Sequence, residues 1–392
     1  MTKKMRIAIF TDVFLPQING VVTATLSLAK GLADKGHKVY IVAPSYEIDK
    51  EFSYKNIKVK RISSIPAFFY EDFKIASPIN FELVAYLKKN KIELIHFQVP
   101  MTVGMHAIIL SKYLNLPIVG TFHTFFADPE YLKHIKITNS FVQKLAWKYS
   151  NFFYNKCDII TCPSEVTKKE IEAQNVKPEI RVVSNGIDAS IFDNSKSKTI
   201  KAKYNKKGKL LLYVGRIAHE KNIVYLLECM KKVFQEENSA KLLIVGGGPQ
   251  FKEVKEKIKK LNITNNVILL GKIDHSDLVK SGIFGACDIF VTASKTETQG
   301  ITMLEAQANG IVCVCVAEKA TVELIENGVN GFLVKDKDKK EFSNSVLKLL
   351  RNKKTYELLR KNTLETIKKH DIKYIINEWE EIYSELINRK QF

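Results

Sequence analysis

Two glutamates eight residues apart, Glu297 and Glu305 in ETQGITMLEAQANG, are the first residues whose type and spacing point to chemistry. A carboxylate accepts at two oxygens, which suits the paired hydroxyls of a sugar. Gln299 and Gly300 lead into a helical pattern that opens at Ile301. Glu297 therefore precedes the helix, and Glu305 lies about one turn inside it. A helix start offers unsatisfied backbone N–H groups and the positive end of the helix dipole, a place for a phosphate. One carboxylate can then reach a hexose and the other a ribose, with phosphates between them. Taken singly, each carboxylate would more often be a cap or a solvated charge.

Other strand ends carry matching groups. In VGRIAHEKN, Arg216 lies just past an apolar strand and Lys221 opens the next helix. A planar fork of donors and a compact ammonium together match a pyrophosphate; the competing reading is a surface ion pair with Glu220. In VGGGPQ, Gly246 and Gly248 read equally as a tight turn and as a loop that lets backbone approach a nucleotide. In the N-terminal half, His123 in GTFHTFF closes an apolar strand between Thr121 and Thr124. His96, in HFQVP, closes the preceding strand and reads as structural. Gly20 lies in PQINGVV, after the first strand.

The elements that must position these groups come in two series. RIAIFTD is continuous and apolar, like a buried parallel strand, and VVTATLSLAKGLADKG carries a helical period ending at a glycine. Strands follow near 38–44, 92–98, 117–121 and 158–162, with helices near 104–115 and 134–155. After the Lys-rich stretch 193–209 a second series opens with LLLYVG and continues through KLLIVGGGP, DIFVT, IVCVCV and NGFLV. Two such series predict an α/β protein of two doubly wound, Rossmann-like domains, with the active site at the carboxyl ends of the strands. The expected division is 1–192, 193–354, and a C-terminal helical segment 355–392 that crosses back onto the first domain.

The chain of 392 residues carries a net charge of +19, and both halves are basic. That fits nucleic acid, anionic lipid, a phosphate-rich small molecule, or a Lys-rich surface with no partner. The six cysteines form no CxxC pair and read as buried apolar residues, so no metal is expected. The start MTKKMRIAIFTD runs straight into a strand, and no apolar stretch reaches the roughly 18 residues of a membrane span. The expected location is cytoplasmic, peripheral to the inner membrane face.

The E-x7-E element together with the GR…EK element resembles the donor-binding half of family-4 glycosyltransferases, and the resemblance covers nearly the whole chain. It implies the GT-B fold, two facing Rossmann-like domains with an inter-domain cleft, and a retaining, nucleotide-sugar-dependent hexosyltransferase without a further cofactor. By that resemblance Arg216 and Lys221 neutralise the donor diphosphate. Glu297 contacts the donor sugar and Glu305 holds the ribose diol. Backbone N–H groups of Gln299, Gly300 and Ile301 meet the phosphates, Gly20 closes over the donor phosphate, and His123 faces the anomeric centre. The chain departs from the pattern at Gly310-Ile311-Val312-Cys313 and at AEKAT, 317–321, along the edge of the donor pocket.

ETQG and TFHTFFADPEYLKHI are similar to the glycolipid-making branch, including diacylglycerol glucosyltransferases, which implies UDP-glucose as donor and a lipid acceptor. Residues 131–156 hold five lysines and no acidic residue, interleaved with aromatics. Lys133, Lys136, Lys144, Trp147 and Lys148 are the expected contacts to an anionic membrane; a helix packed on the first domain with a solvated Lys face is the equal alternative. PAFFYEDF, 66–73, is a second apolar candidate. Competing functions are transfer to a soluble or polysaccharide acceptor, and mannosyl transfer from GDP-mannose to phosphatidylinositol. A dinucleotide oxidoreductase lacks its G-x-G-x-x-G with a downstream acid. Nucleic-acid binding lacks a motif. A nucleotide-sugar epimerase shares the fold pattern.

Overall fold

The computed structural model describes residues 3–47, 52–67, 74–77, 80–125, 127–128 and 139–390. It divides into two compact units: residues 1–127, 139–186 and 372–392, and residues 128–138 with 187–371. The first unit thus closes ahead of the 192/193 boundary read from composition, because Ile187 and Phe192 already pack into the second core. Helix Lys353–Thr366 belongs to the second unit, and the last helix, Ile372–Arg389, to the first.

In the first unit, β1 (Arg6–Phe10), β2 (Lys38–Pro44), β3 (Ile57–Ile62), β6 (Leu94–Phe97), β7 (Ile118–Thr121), β8 (Ile159–Cys162) and β9 (Glu179–Val182) form one parallel sheet in the order β3-β2-β1-β6-β7-β8-β9. A small antiparallel pair, β4 (Ser64–Pro66) and β5 (Lys74–Ala76), stands apart. The sequence reading places no element at strands β3 and β9 or at helices Glu82–Lys89 and Glu165–Glu172, which are short and mix apolar with charged residues. Alternate residues supply the two faces of the sheet. Ala8, Phe10, Tyr40 and Val42 pack on one side. Ile7, Ile9, Val39 and Ile41 pack on the other, under Trp379, Tyr383 and Leu386 of the last helix.

In the second unit, β10 (Leu210–Val214), β11 (Lys241–Val245), β12 (Val267–Gly271), β13 (Ile289–Thr292), β14 (Val312–Val316) and β15 (Gly331–Val334) form a parallel sheet ordered β12-β11-β10-β13-β14-β15. Both faces are buried. Val312, Val314 and Val316 point into one core, Cys313 and Cys315 into the other. All six cysteines are free and buried. In each sheet the strand order reverses once, at β1/β6 and at β10/β13, and the crevice at such a point is where doubly wound sheets bind ligands.

Candidate functional site

The reversal at β10/β13 gathers Arg216, Lys221, Glu220 and Glu297. Arg216 follows β10, and Lys221 ends the 3₁₀ turn His219–Lys221 just beyond it. Glu297 lies in the loop after β13. That loop is tied to the turn by backbone, Lys295 N–H donating to Glu220 O at 3.0 Å, and Ala320 N–H donates to Glu297 O at 3.2 Å. The divergent AEKAT segment thus braces the Glu297 backbone. Lys221 Nζ then meets Glu297 Oε1 at 2.5 Å. Burial pulls the Lys221 ammonium down, but the Glu297 and Glu220 carboxylates outweigh it and leave its pKa raised. Burial lowers the Arg216 guanidinium against the opposing pull of Glu220. Glu220 itself is buried, so its part in this cluster is not that of a solvated surface partner.

Gly300 sits at φ 87°, ψ 64° as the N-cap of helix Ile301–Ala308, and Gln299 beside it is buried. The positive φ is the physical need for glycine there. Gly246 and Gly248 have a different need. A Cβ on Gly246 would lie 1.8 Å from Gly215 O, and one on Gly248 would lie 2.4 Å from Ile217 O. Ile217 N–H also donates to Gly247 O at 2.9 Å. The tight-turn reading accounts for both glycines: they let the 245–248 loop press against the backbone that carries Arg216.

Glu305 is 2% exposed and faces an imidazole that the sequence reading did not single out. His275 Nε2 lies 2.5 Å from Glu305 Oε1. His275 opens the short helix after β12, thirty residues from Glu305, so no local pattern links them. Among the described residues, no group of three or more His, Cys, Asp or Glu side chains could hold a metal ion.

The first unit builds a second cluster at its own reversal. Gly20 is the exposed first residue of helix Gly20–Asp34, whose N-cap Asn19 accepts from Val22 N–H. His123, half-buried, follows β7, and its Nε2 lies 2.7 Å from Gln98 Oε1. Burial pushes the His123 imidazole down to about 4. Gln98 Nε2 lies 2.9 Å from His96 Nε2, which also meets Thr121 Oγ1 at 2.6 Å. His96 Nδ1 reaches the Tyr383 hydroxyl at 2.7 Å, and its ring packs on Trp379. His96 is therefore structural, and it joins the last helix to His123 through Gln98. The two-residue spacing in HFQ was the one signal for Gln98, since alternate residues of a strand share a face.

The basic aromatic helix spans Ser140–Tyr154. Lys133, Lys136 and most of 66–73 lie outside the described residues. Lys144 and Lys148 are exposed. Trp147 faces inward, stacked on Phe122 with ring centroids 5.9 Å apart and planes at 9°. The exposed apolar residues are instead Phe141, Leu145, Tyr149 and Phe152. At about 100° per residue these four fall within one narrow stripe, and position 147 lies on the opposite side. Among the described residues, no helix is long and apolar enough to cross a membrane.

Comparison with known proteins agrees with this architecture. Residues 18–191 match the model of Glycosyltransferase Family 4, and residues 195–366 that of Glycosyl transferases group 1. The chain is 32% identical over 339 residues to an alpha-monoglucosyldiacylglycerol synthase of Streptococcus pneumoniae, covering 84% of this chain and 75% of that protein. It is 26% identical over 399 residues to the alpha-monoglucosyldiacylglycerol synthase of Acholeplasma laidlawii, covering 98% of each. Among solved structures it superposes on Anabaena HepE in complex with UDP and glucose, with a TM-score of 0.77 at 18% identity over 97% of this chain and 100% of that one. Sucrose-phosphate synthase from Thermosynechococcus elongatus gives a TM-score of 0.80 at 18% identity, over 98% and 100%. Two Rossmann-like sheets and these matches along both halves lead to one conclusion: the chain belongs to glycosyltransferase family 4 and is a glycosyltransferase of the GT-B fold.

Proposed function

We propose that the protein is a retaining hexosyltransferase that moves glucose from UDP-glucose to a lipid hydroxyl, such as that of diacylglycerol, at the cytoplasmic membrane face. The observation that carries the reading is the Lys221–Glu297 pair at the strand reversal of the second unit, beside Arg216 and the start of helix Ile301–Ala308. An ammonium has three N–H donors, and Glu297 takes one. The others, with the Arg216 fork and the N–H groups of Gln299, Gly300 and Ile301, suit the oxygens of a diphosphate. Glu297 then serves the sugar hydroxyls and Glu305 the ribose diol.

In the proposed reaction the bond between the hexose C1 and the β-phosphate oxygen breaks, and the acceptor oxygen bonds to C1 on the same face. The acceptor proton passes to the departing phosphate. Negative charge grows on that phosphate as the bond breaks, so fixed positive groups aimed at it stabilise the transition state more than the ground state. His123, held by Gln98, is assigned to the sugar side of the reaction.

The lipid acceptor rests on the synthases named above and on the stripe Phe141, Leu145, Tyr149, Phe152, bordered by Lys144 and Lys148. Apolar insertion flanked by cations suits an anionic bilayer surface. The test is a panel of nucleotide sugars offered with diacylglycerol, phosphatidylinositol and soluble saccharides, read by mass spectrometry and by the anomeric configuration of the product. An α-glucosyl lipid from UDP-glucose is the expected product. Transfer only to soluble acceptors, or an inverted product, would remove the corresponding part of the reading.

A further inference from the structure

We infer that His275 is a positioning residue for nucleoside recognition, holding the Glu305 carboxylate in the plane from which it reads a ribose rather than a deoxyribose. The inference rests on the proposed assignment of Glu305 to the ribose diol.

The geometry is specific. Glu305 projects from the second turn of helix Ile301–Ala308, and its side chain is 2% exposed. An ionised carboxylate only accepts, so the contact at 2.5 Å from His275 Nε2 to Oε1 is a donated N–H. Nε2 is therefore a ring nitrogen that bears a proton. His275 itself is 30% exposed and opens the helix His275–Leu278 after β12, whereas Glu305 follows β13. In the sheet order β12-β11-β10-β13 these strands are not neighbours. The hydrogen bond therefore links two separate helices, each following a different strand of the sheet.

The chemical consequence follows from the soft terminal torsion of a glutamate. Rotation about the bond to the carboxylate is broad and roughly two-fold, so an unheld carboxylate samples many planes. A vicinal diol donates two O–H groups at fixed separation and needs both carboxylate oxygens turned toward it. His275 occupies one lone-pair direction of Oε1 and so fixes the plane, leaving the remaining directions of both oxygens for the diol. A deoxyribose offers a single hydroxyl and gains little from a fixed plane. His275 thereby contributes to the preference for ribonucleotides without touching the sugar undergoing transfer.

The test measures binding of UDP and 2′-deoxy-UDP, with GDP and 2′-deoxy-GDP in parallel, to the full chain by calorimetry; the pair that binds the wild type is the one compared. His275→Ala should weaken binding of the ribonucleotide by about 10-fold, the lower end for loss of a hydrogen bond to a charged group. It should leave the 2′-deoxy form nearly unchanged. His275→Gln, which restores an N–H donor, should recover most of the loss. Turnover at saturating donor should stay within about 3-fold of wild type, because the contact orients a binding group and leaves the reacting atoms alone. Equal weakening of both nucleotides by His275→Ala, while Glu305→Ala weakens only the ribonucleotide, would overturn the role of His275 alone. If Glu305→Ala also fails to distinguish the two forms, the ribose assignment falls and this inference with it. A matched melting temperature in His275→Ala excludes loss of fold as the cause of either result.

Discussion

Lys221 Nζ and Glu297 Oε1 stand 2.5 Å apart, joining the turn after β10 to the loop after β13 across the reversal of the second sheet. Both side chains are about one-fifth exposed, so the pair is shielded without being sealed from a ligand. In the proposed function this pair holds a cation in place for a diphosphate, and breaking it leaves an unbalanced charge.

Lys221→Ala should therefore lower turnover at saturating donor by about two orders of magnitude or more, and Arg216→Ala by a comparable factor, the range seen when a preorganised electrostatic donor is lost. Glu297→Gln should also lower turnover. The double variant Lys221→Ala, Glu297→Gln should lose less than the product of the single losses, because the two groups interact directly. Steady-state rates of the four proteins check this; near-wild-type turnover in Lys221→Ala would remove it from the site.

The hydrogen bond from His123 to Gln98 predicts a second effect in the first unit. Gln98→Leu removes the partner at 2.7 Å and should lower turnover by about 10-fold or more with a small change in donor KM. Gln98→Glu keeps an acceptor for His123 and should retain more activity than Gln98→Leu. Equal rates for the two variants, with melting temperatures unchanged, would count against the positioning of His123 through Gln98.

Acid should destabilise the fold below the ordinary histidine range. Burial lowers His96 well below its usual value, and lowers His123 and His370 to about 4. Below about 6.5 the unfolded chain binds protons at these rings that the folded chain refuses, so their contribution to stability falls as pH drops from there toward 4. Asp12 opposes this. Burial raises it to about 7, against hydrogen bonds from Val103 N–H at 2.7 Å, Gly104 N–H at 3.1 Å and the Thr102 hydroxyl at 2.9 Å. Its folded form keeps a proton that the unfolded chain releases above about 4, so its contribution falls as pH rises toward 7. Burial also raises the Glu378 carboxyl, which acts in the same direction as Asp12. The three rings outnumber these two carboxyls and give a melting temperature that climbs from pH 5 to pH 7, and His96→Asn should flatten the climb. A flat profile in the wild type would contradict these environments.

The helix Ser140–Tyr154 separates a surface effect from a core effect. Leu145→Glu should weaken binding to anionic vesicles without changing the melting temperature, since Leu145 is 55% exposed. Trp147→Ala should instead lower stability by about 2–3 kcal/mol, somewhat below the range for a fully buried aromatic, because its ring packs on Phe122. Vesicle sedimentation at low and high salt, with melting curves, distinguishes the two; reversed effects would place the stripe in the core and the tryptophan at the surface.

Much of this protein was set by sequence alone. The continuous apolar runs RIAIF, LLLYV and VCVCV become parallel strands buried on both faces, because a strand with no polar alternation has no face to give to water. The order of strands and helices along the chain gave two doubly wound sheets, and the glycine at 300 marked a helix start that needs a positive φ. Tertiary structure decided the rest. Only folding brings His275 to Glu305 and Tyr383 to His96, 30 and 287 residues apart, since their strands and helices carry no mutual sequence signal. It also decided which aromatic residues of helix Ser140–Tyr154 face the core. Composition counts Trp147 and Phe141 alike; stacking on Phe122 partly buries the first, and the second stays exposed. Hydrophobic burial is non-directional, so a sequence shows how much apolar surface must be covered, and only the packed structure shows what covers it.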